Sequence, residues 1–411
     1  MSLAPKRSPR GAGIWVAVAV ATAGAAAGAW ALRGEDHLAE RHLLENACAT
    51  GPAGWALARA APALAGAVAG VGAVAAAWAL GALARRARRG GLRAFAGALA
   101  GVAVAIACSL AVVELYLRHL RDRGSGVASA AAAGDARETP MARPDPRLGW
   151  AYVPRRTTWV EVGGRRVAYA IDAEGDRAAS AEGASDPDRP TVLFAGESIA
   201  FGYGLAHAET FPALVGQDLG VQAVNLAVVG HGSDQAHLRL LDALPRYRRP
   251  LAVVTLFLPD QLRRNVDRWR PRLALADGGA LALVPPAGGP ALAKLVQALP
   301  FHDGEALRVT AAVLRATAEA ARARGAFPLF VVTNYGSPCL REPGRESWVV
   351  EELFVRQGLP FVRVDLAPED RLPGIVERHP NARGARAIAV AVEGALAERL
   401  AIRRGRGRRE R

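Results

Sequence analysis

An apolar, β-prone stretch at 191–194 runs into the small-residue turn Gly196-Glu197-Ser198, and glycines, a helix-start signal and an amphipathic helix follow it. The same strand-to-helix step recurs along the rest of the chain. Strands are predicted at 191–194, 223–225, 252–257, 329–333 and 361–365, and helices at 210–219, 235–244, 304–324 and 382–400. A helical crossover brings each new strand back in the same direction, so this alternation restricts the region to a parallel sheet covered on both faces. Ligands of such sheets sit at the carboxyl ends of the strands. Ser198, Gly230 and Asp260 each fall just after a strand, and His379 falls in a loop before the last helix. All four are therefore expected at one edge.

A serine between a strand end and a helix start is placed to act as a nucleophile, with free helical N–H groups nearby to stabilise developing negative charge. Each residue also has a plainer reading. Ser198 serves equally as a turn serine or helix cap, His379 as a surface histidine, and Glu377 as a solvated charge. Gly230 suits a tight turn that needs positive φ.

Three blocks carry a resemblance. GESIAFGYG supplies Ser198, Gly202 and Gly204. NLAVVGHGSDQ supplies Asn225 and Gly230, and ERHPNARGARAIA supplies Glu377 and His379 in an acid-x-His-Pro pattern. In this order, from about Asp145 to Leu400, the chain resembles the SGNH/GDSL hydrolase family, esterases and acyl-transfer enzymes on a three-layer, flavodoxin-like α/β fold. The resemblance implies Ser198 as nucleophile, His379 as base and Glu377 as the acid that orients it. It also implies an oxyanion hole formed by Ser198, Gly230 and the position of Asp260. Glu197 and Glu377 replace aspartates of the family pattern, and Asp260-Gln261 stands where the family has Asn-Asp. An ionised aspartate cannot donate a hydrogen bond. Asp260 donates if protonated, opposes the oxyanion if ionised, and drops out if the loop is remodelled. Glu197, His231 and Tyr335 are candidate pocket residues. Neither a metal nor an organic cofactor is implied.

The N-terminal third is different in kind. The runs 13–32, 60–84 and 94–113 contain no charged residue. Each is long enough to cross a hydrocarbon core of about 30 Å as a helix of roughly 20 residues. Residues 1–121 are therefore expected to be a membrane region with three transmembrane helices. The first run, preceded by Lys6, Arg7 and Arg10, also has the layout of a secretory signal. Arg85, Arg86, Arg88, Arg89 and Arg93 lie between the second and third runs, whereas acidic residues offset Arg33 and Arg41 between the first two. By the positive-inside rule the N-terminus is cytoplasmic and the hydrolase-like domain extracytoplasmic; Arg118, Arg121 and Arg123 pull the other way.

Residues 122–146 read as a flexible linker, 147–402 as the hydrolase-like domain with a β-rich prelude, and 403–411 as a basic tail. Within the prelude, Gly163-Gly164 marks a hairpin, and 176–190 reads as an exposed loop. The net charge of +14 gathers largely in membrane-flanking and C-terminal arginines. No zinc spacing, recognition helix or aromatic-basic motif accompanies it, so nucleic acid is not expected as a partner. Three cysteines do not make a disulfide framework; Cys108 lies within the third run, and a bridge between Cys48 and Cys339 is left open. The family resemblance implies O-acyl esters of envelope carbohydrate or lipid as substrates, with hydrolysis and O-acyl transfer both open. A degenerate domain that binds glycan or a membrane acyltransferase partner is the alternative.

Overall fold

The computed structural model describes residues 141–162, 164–268, 270–286, 303–335, 343–373 and 379–409. The described residues fall within one compact unit, Gly124–Ala287 with His302–Arg411. The three predicted membrane runs, all three cysteines and Glu377 lie outside the described residues. Among the described residues no helix is long and apolar enough to cross a membrane.

Five strands form the parallel centre: β6 (Thr191–Ala195), β7 (Gln222–Asn225), β8 (Pro250–Phe257), β11 (Phe327–Thr333) and β12 (Phe361–Val364). Their spatial order is β7-β6-β8-β11-β12, all pairs parallel. Counted along the chain that is 2-1-3-4-5, the flavodoxin-like doubly wound order, with its switch point between β6 and β8. Three antiparallel strands extend the β7 edge: β5 (Arg177–Ala178), β4 (Arg165–Ile171) and β3 (Arg156–Val162). Two separate hairpins are β1 (Ala142–Asp145) with β2 (Gly149–Tyr152), and β9 (Arg272–Leu275) with β10 (Leu281–Val284).

Burial follows the layers. β6 is buried at every position, as a strand covered on both faces must be. Alternate residues serve opposite cores. Val192, Phe194, Ala252 and Val254 pack in one core with Phe211 and Val215 of helix α2 (Phe211–Leu219) and Ile388 and Val392 of helix α6 (Ala382–Arg409). Leu193 and Val253 pack on the other face with Leu240 of helix α3 (Ser233–Ala243) and Ala321 of helix α4 (Asp303–Ala323). Edge strand β3 instead alternates buried and exposed residues, because one of its faces meets water.

Several predicted elements agree closely in position, and others differ. Between Ser198 and the amphipathic helix α2 there is an additional single turn, α1 (Ser198–Phe201). A helix α5 (Pro343–Val350) lies between β11 and β12. The stretch 176–190 is not simply an exposed loop: Asp176 and Arg177 are buried, and Arg177–Ala178 is strand β5. Asp176 accepts from Arg239 at 2.6 Å and Arg246 at 3.1 Å, which draws this charged segment inward. The β1–β2 hairpin begins at Ala142, inside the stretch read as linker, and α6 continues through the basic tail to Arg409.

Candidate active site

The chain leaves β6 through Gly196 and Glu197 and enters α1 at Ser198. One Glu197 carboxylate oxygen accepts the Ile199 N–H at 3.0 Å, so Glu197 caps the turn. Its other oxygen, Oε2, accepts the Ser198 hydroxyl. The turn closes at Gly202, whose N–H returns to the Ser198 and Ile199 carbonyls at 3.1 and 3.2 Å. From the end of β7, Asn225 donates to the Ala200 carbonyl at 2.8 Å and ties the turn to the sheet. The helix behind Ser198 is thus one turn long, and individual N–H groups, not an accumulated helix dipole, are what it offers.

His379 reaches the same place from the far end of the chain. Its carbonyl accepts the Leu372 N–H at 2.9 Å, and Arg371 and Pro380 form an antiparallel bridge. Asn381 follows, accepting the Gly384 N–H at 3.0 Å as the cap of α6. So held, His379 Nε2 lies 2.8 Å from Ser198 Oγ, across 181 positions of sequence. The imidazole sits between two aromatic rings: Tyr203, with centroids 4.9 Å apart, and Tyr335, edge-on at 5.7 Å.

The Ser198 hydroxyl has one proton, and in this arrangement it points at Glu197. The contact from His379 is then one in which Nε2–H donates to Oγ. For His379 to act as base, the hydroxyl must turn toward an unprotonated Nε2. Glu197 is itself faced by Arg264, Nη1 to Oε2 3.9 Å, and Arg264 donates to the His231 carbonyl at 3.2 Å. Beside Glu197, where β6 and β8 diverge, a cavity of about 20 Å³ is lined by Gly196, His231, Gly232, Leu256 and Arg264. That is room for about one water.

Gly230 occupies the turn after β7 at φ 82°. His231 is fully buried; its Nε2 donates to the Trp150 carbonyl at 3.0 Å and its ring meets the Trp150 ring edge-on at 5.2 Å. Burial drives its pKa down to about 3, assisted by Arg239, Arg270 and Arg264 and opposed by the Trp150 carbonyl. Asp260 lies on the 3₁₀ turn Pro259–Val266 that leaves β8; its side chain, like Glu377, is outside what the structure describes. From the same turn Asn265 is buried and points elsewhere, donating to Thr310 Oγ1 at 2.7 Å and accepting the Asp234 N–H at 3.3 Å. Asp234, pushed up to about 6 by burial, accepts from Gln235 and Leu273 N–H groups at 2.8 and 3.1 Å.

A 2-1-3-4-5 sheet carries its serine after the first strand of the series, its glycine turn after the second, and its histidine before the last helix. The described residues form a flavodoxin-like α/β fold that carries these residues in the order the SGNH/GDSL resemblance implies. No protein-family model and no curated protein sequence matched it. Solved structures similar to it include TesA, at 19% identity over 50% of this chain and 97% of that one, with a TM-score of 0.32. AlinE4, an SGNH-hydrolase family esterase, is 16% identical over 53% of this chain and 99% of its own, with a TM-score of 0.27. An acetyl xylan esterase, Est2A, from the rumen bacterium Butyrivibrio proteoclasticus is 12% identical over 51% and 64%, with a TM-score of 0.31.

Sequence reasoning did not single out Tyr203, Arg264 or Arg270 as neighbours of this site. Tyr203 lies in the glycine-rich run behind Ser198, so its proximity was legible in principle. Nothing local marks Arg264 or Arg270, since a surface arginine looks the same on paper.

Proposed function

We propose that this chain is a serine hydrolase of ester bonds, of the SGNH/GDSL type, held at a membrane with its catalytic domain extracytoplasmic. The observation that carries the reading is the 2.8 Å contact between Ser198 Oγ and His379 Nε2. Ser198 attacks the acyl carbonyl, and His379 takes its proton and returns it to the leaving alcohol. Glu377 orients the imidazole. The N–H groups of Ser198 and Gly230 receive the oxyanion, with Asp260 at the third position. The substrates are O-acyl esters of envelope carbohydrate or lipid, and a sugar hydroxyl in place of water as acceptor turns hydrolysis into acyl transfer. The uncharged runs at 13–32, 60–84 and 94–113 support the membrane anchor.

A second reading is favoured by one observation, the donation of the Ser198 proton to Glu197. On that reading the domain binds glycan or a membrane acyltransferase partner without turnover. The test is hydrolysis of p-nitrophenyl acetate by the full chain beside Ser198→Ala and Asp260→Asn. Turnover lost in Ser198→Ala supports the hydrolase. A silent wild type with an active Asp260→Asn variant identifies a switched-off oxyanion hole, and silence in both favours the binding reading.

A further inference from the structure

The β1–β2 hairpin contributes no residue to the Ser198–His379 pair, yet its side chains grip the glycine turn at successive peptide units. Tyr152 Oη accepts the Val229 N–H at 3.0 Å, and Trp150 Nε1–H donates to the Val229 carbonyl at 3.0 Å, both buried. Arg270 donates to the Gly230 carbonyl at 2.8 Å, with its guanidinium 5.4 Å from the centre of the Trp150 ring. The His231 N–H returns to the Val228 carbonyl at 3.2 Å. Grip runs the other way as well. His231 Nε2 donates to the Trp150 carbonyl, and Gln235 donates to the Leu148 carbonyl. None of these bonds uses the Gly230 N–H.

The Trp150 bond has a directional consequence. In a trans peptide the carbonyl and the following N–H point opposite ways. Fixing the Val229 carbonyl therefore fixes the line along which the Gly230 N–H projects. Accepting a bond at the carbonyl also polarises the peptide and strengthens its N–H as a donor. Tyr152 adds a link to the nucleophile, because its ring packs against Phe201 of α1 at 5.2 Å.

We infer that Trp150 and Tyr152 are positioning residues that aim the Gly230 N–H at the developing oxyanion, which makes the β1–β2 hairpin part of the working active site. This rests on the proposed hydrolase reading, in which Gly230 is an oxyanion donor. A donor aimed at the transition state but not at the ground state alters kcat and leaves KM alone.

The test uses the full chain, with p-nitrophenyl acetate as substrate and a p-nitrophenyl phosphonate to count reactive Ser198. Tyr152→Phe removes only the acceptor of the Val229 N–H, and Trp150→Phe only the indole N–H. Each should lower kcat per titrated site about 10- to 100-fold, at or somewhat below the loss from deleting an oxyanion donor, with KM and pH profile unchanged. Tyr247→Phe is the comparison, since its buried hydroxyl bonds Ser185 at 2.7 Å away from the glycine turn. It should lower stability comparably and leave kcat within two-fold. If both hairpin variants keep kcat within about two-fold of wild type while losing stability like Tyr247→Phe, the hairpin is mere scaffolding and the inference is overturned. Absence of Ser198-dependent turnover in the wild type would instead overturn the hydrolase reading, and this role with it.

Discussion

Replacing His231 by glutamine should flatten the acid side of the stability profile by a calculable amount. His231 is 1% exposed, and Nδ1 has no hydrogen-bond partner among the described residues. Its folded pKa of about 3 lies well below the ordinary 6.5. The unfolded state therefore binds the proton between those values and the native state does not, so stability is lost as the pH falls below 6.5. Between pH 6.5 and 4.5 the unfolded state gains about 2.3 kcal/mol from this one titration. That window stays above the folded value, so the figure is set almost entirely by the unfolded histidine. Glutamine retains a donor for the Trp150 carbonyl and cannot titrate. Other groups contribute to the wild-type slope. His237, lowered to about 4 by burial, has the same sign. Asp172 and Asp234, both raised to about 6, have the opposite sign, because their native states hold protons that the unfolded chain releases between about 4 and 6. The assay is accordingly a difference: urea unfolding of wild type and His231→Gln at both pH values. The variant should lose about 2 kcal/mol less than wild type over that interval. Parallel losses in the two proteins would refute the argument, since His231 would then carry its charge in the native state.

Three further outcomes follow from the geometry. Asp176→Asn leaves two guanidiniums around a nearly inaccessible site and should cost about 3 kcal/mol in urea unfolding, whereas Asp188→Asn, in an exposed pair with Arg248, should change little. Equal effects would show that burial of the Asp176 pair is unimportant. Gly202→Ala combines φ 82° with a new Cβ 2.2 Å from Thr210 Cγ2, and should cost about 2 kcal/mol or more and disturb Ser198, whose carbonyl Gly202 caps. Gly220→Ala, at φ 64° in open space, should cost only about 1 kcal/mol and spare ester turnover.

Much of the fold was legible because it is written in short periods. The strand ending at Ala195 is apolar after Thr191 and buried throughout, as a strand covered on both faces must be, and α6 starts at Ala382, where the sequence predicts the helix to start. Strands β3 and β4 pair antiparallel with Val162 opposite Arg165, on either side of the predicted hairpin position. The short strand β5 was not legible. Arg177 looks like surface charge in the sequence, yet it is buried against the rings of Tyr169 and Phe201 and donates to the Leu205 carbonyl. Its place depends on aromatic residues that are distant in sequence. Glu197 shows the same limit from the other side: a residue adjacent to Ser198 was expected near the pocket, but no local pattern says which way its carboxylate turns.

By itself the sequence determined the parallel α/β character, the order of serine, glycine turn and histidine, and the strand ends on which they stand. Those follow from hydrophobic period and turn chemistry, which act over a few residues. Only the tertiary structure decided that His379 Nε2 meets Ser198 Oγ, that the Ser198 proton faces Glu197, and that Trp150 and Tyr152 hold the Val229 peptide. Each of those is a contact between elements far apart in the chain, fixed by how sheet, helices and hairpin bury their apolar faces together. A hydrogen bond of about 3 Å depends on that packing to a fraction of an ångström, and no local pattern encodes a distance so fine.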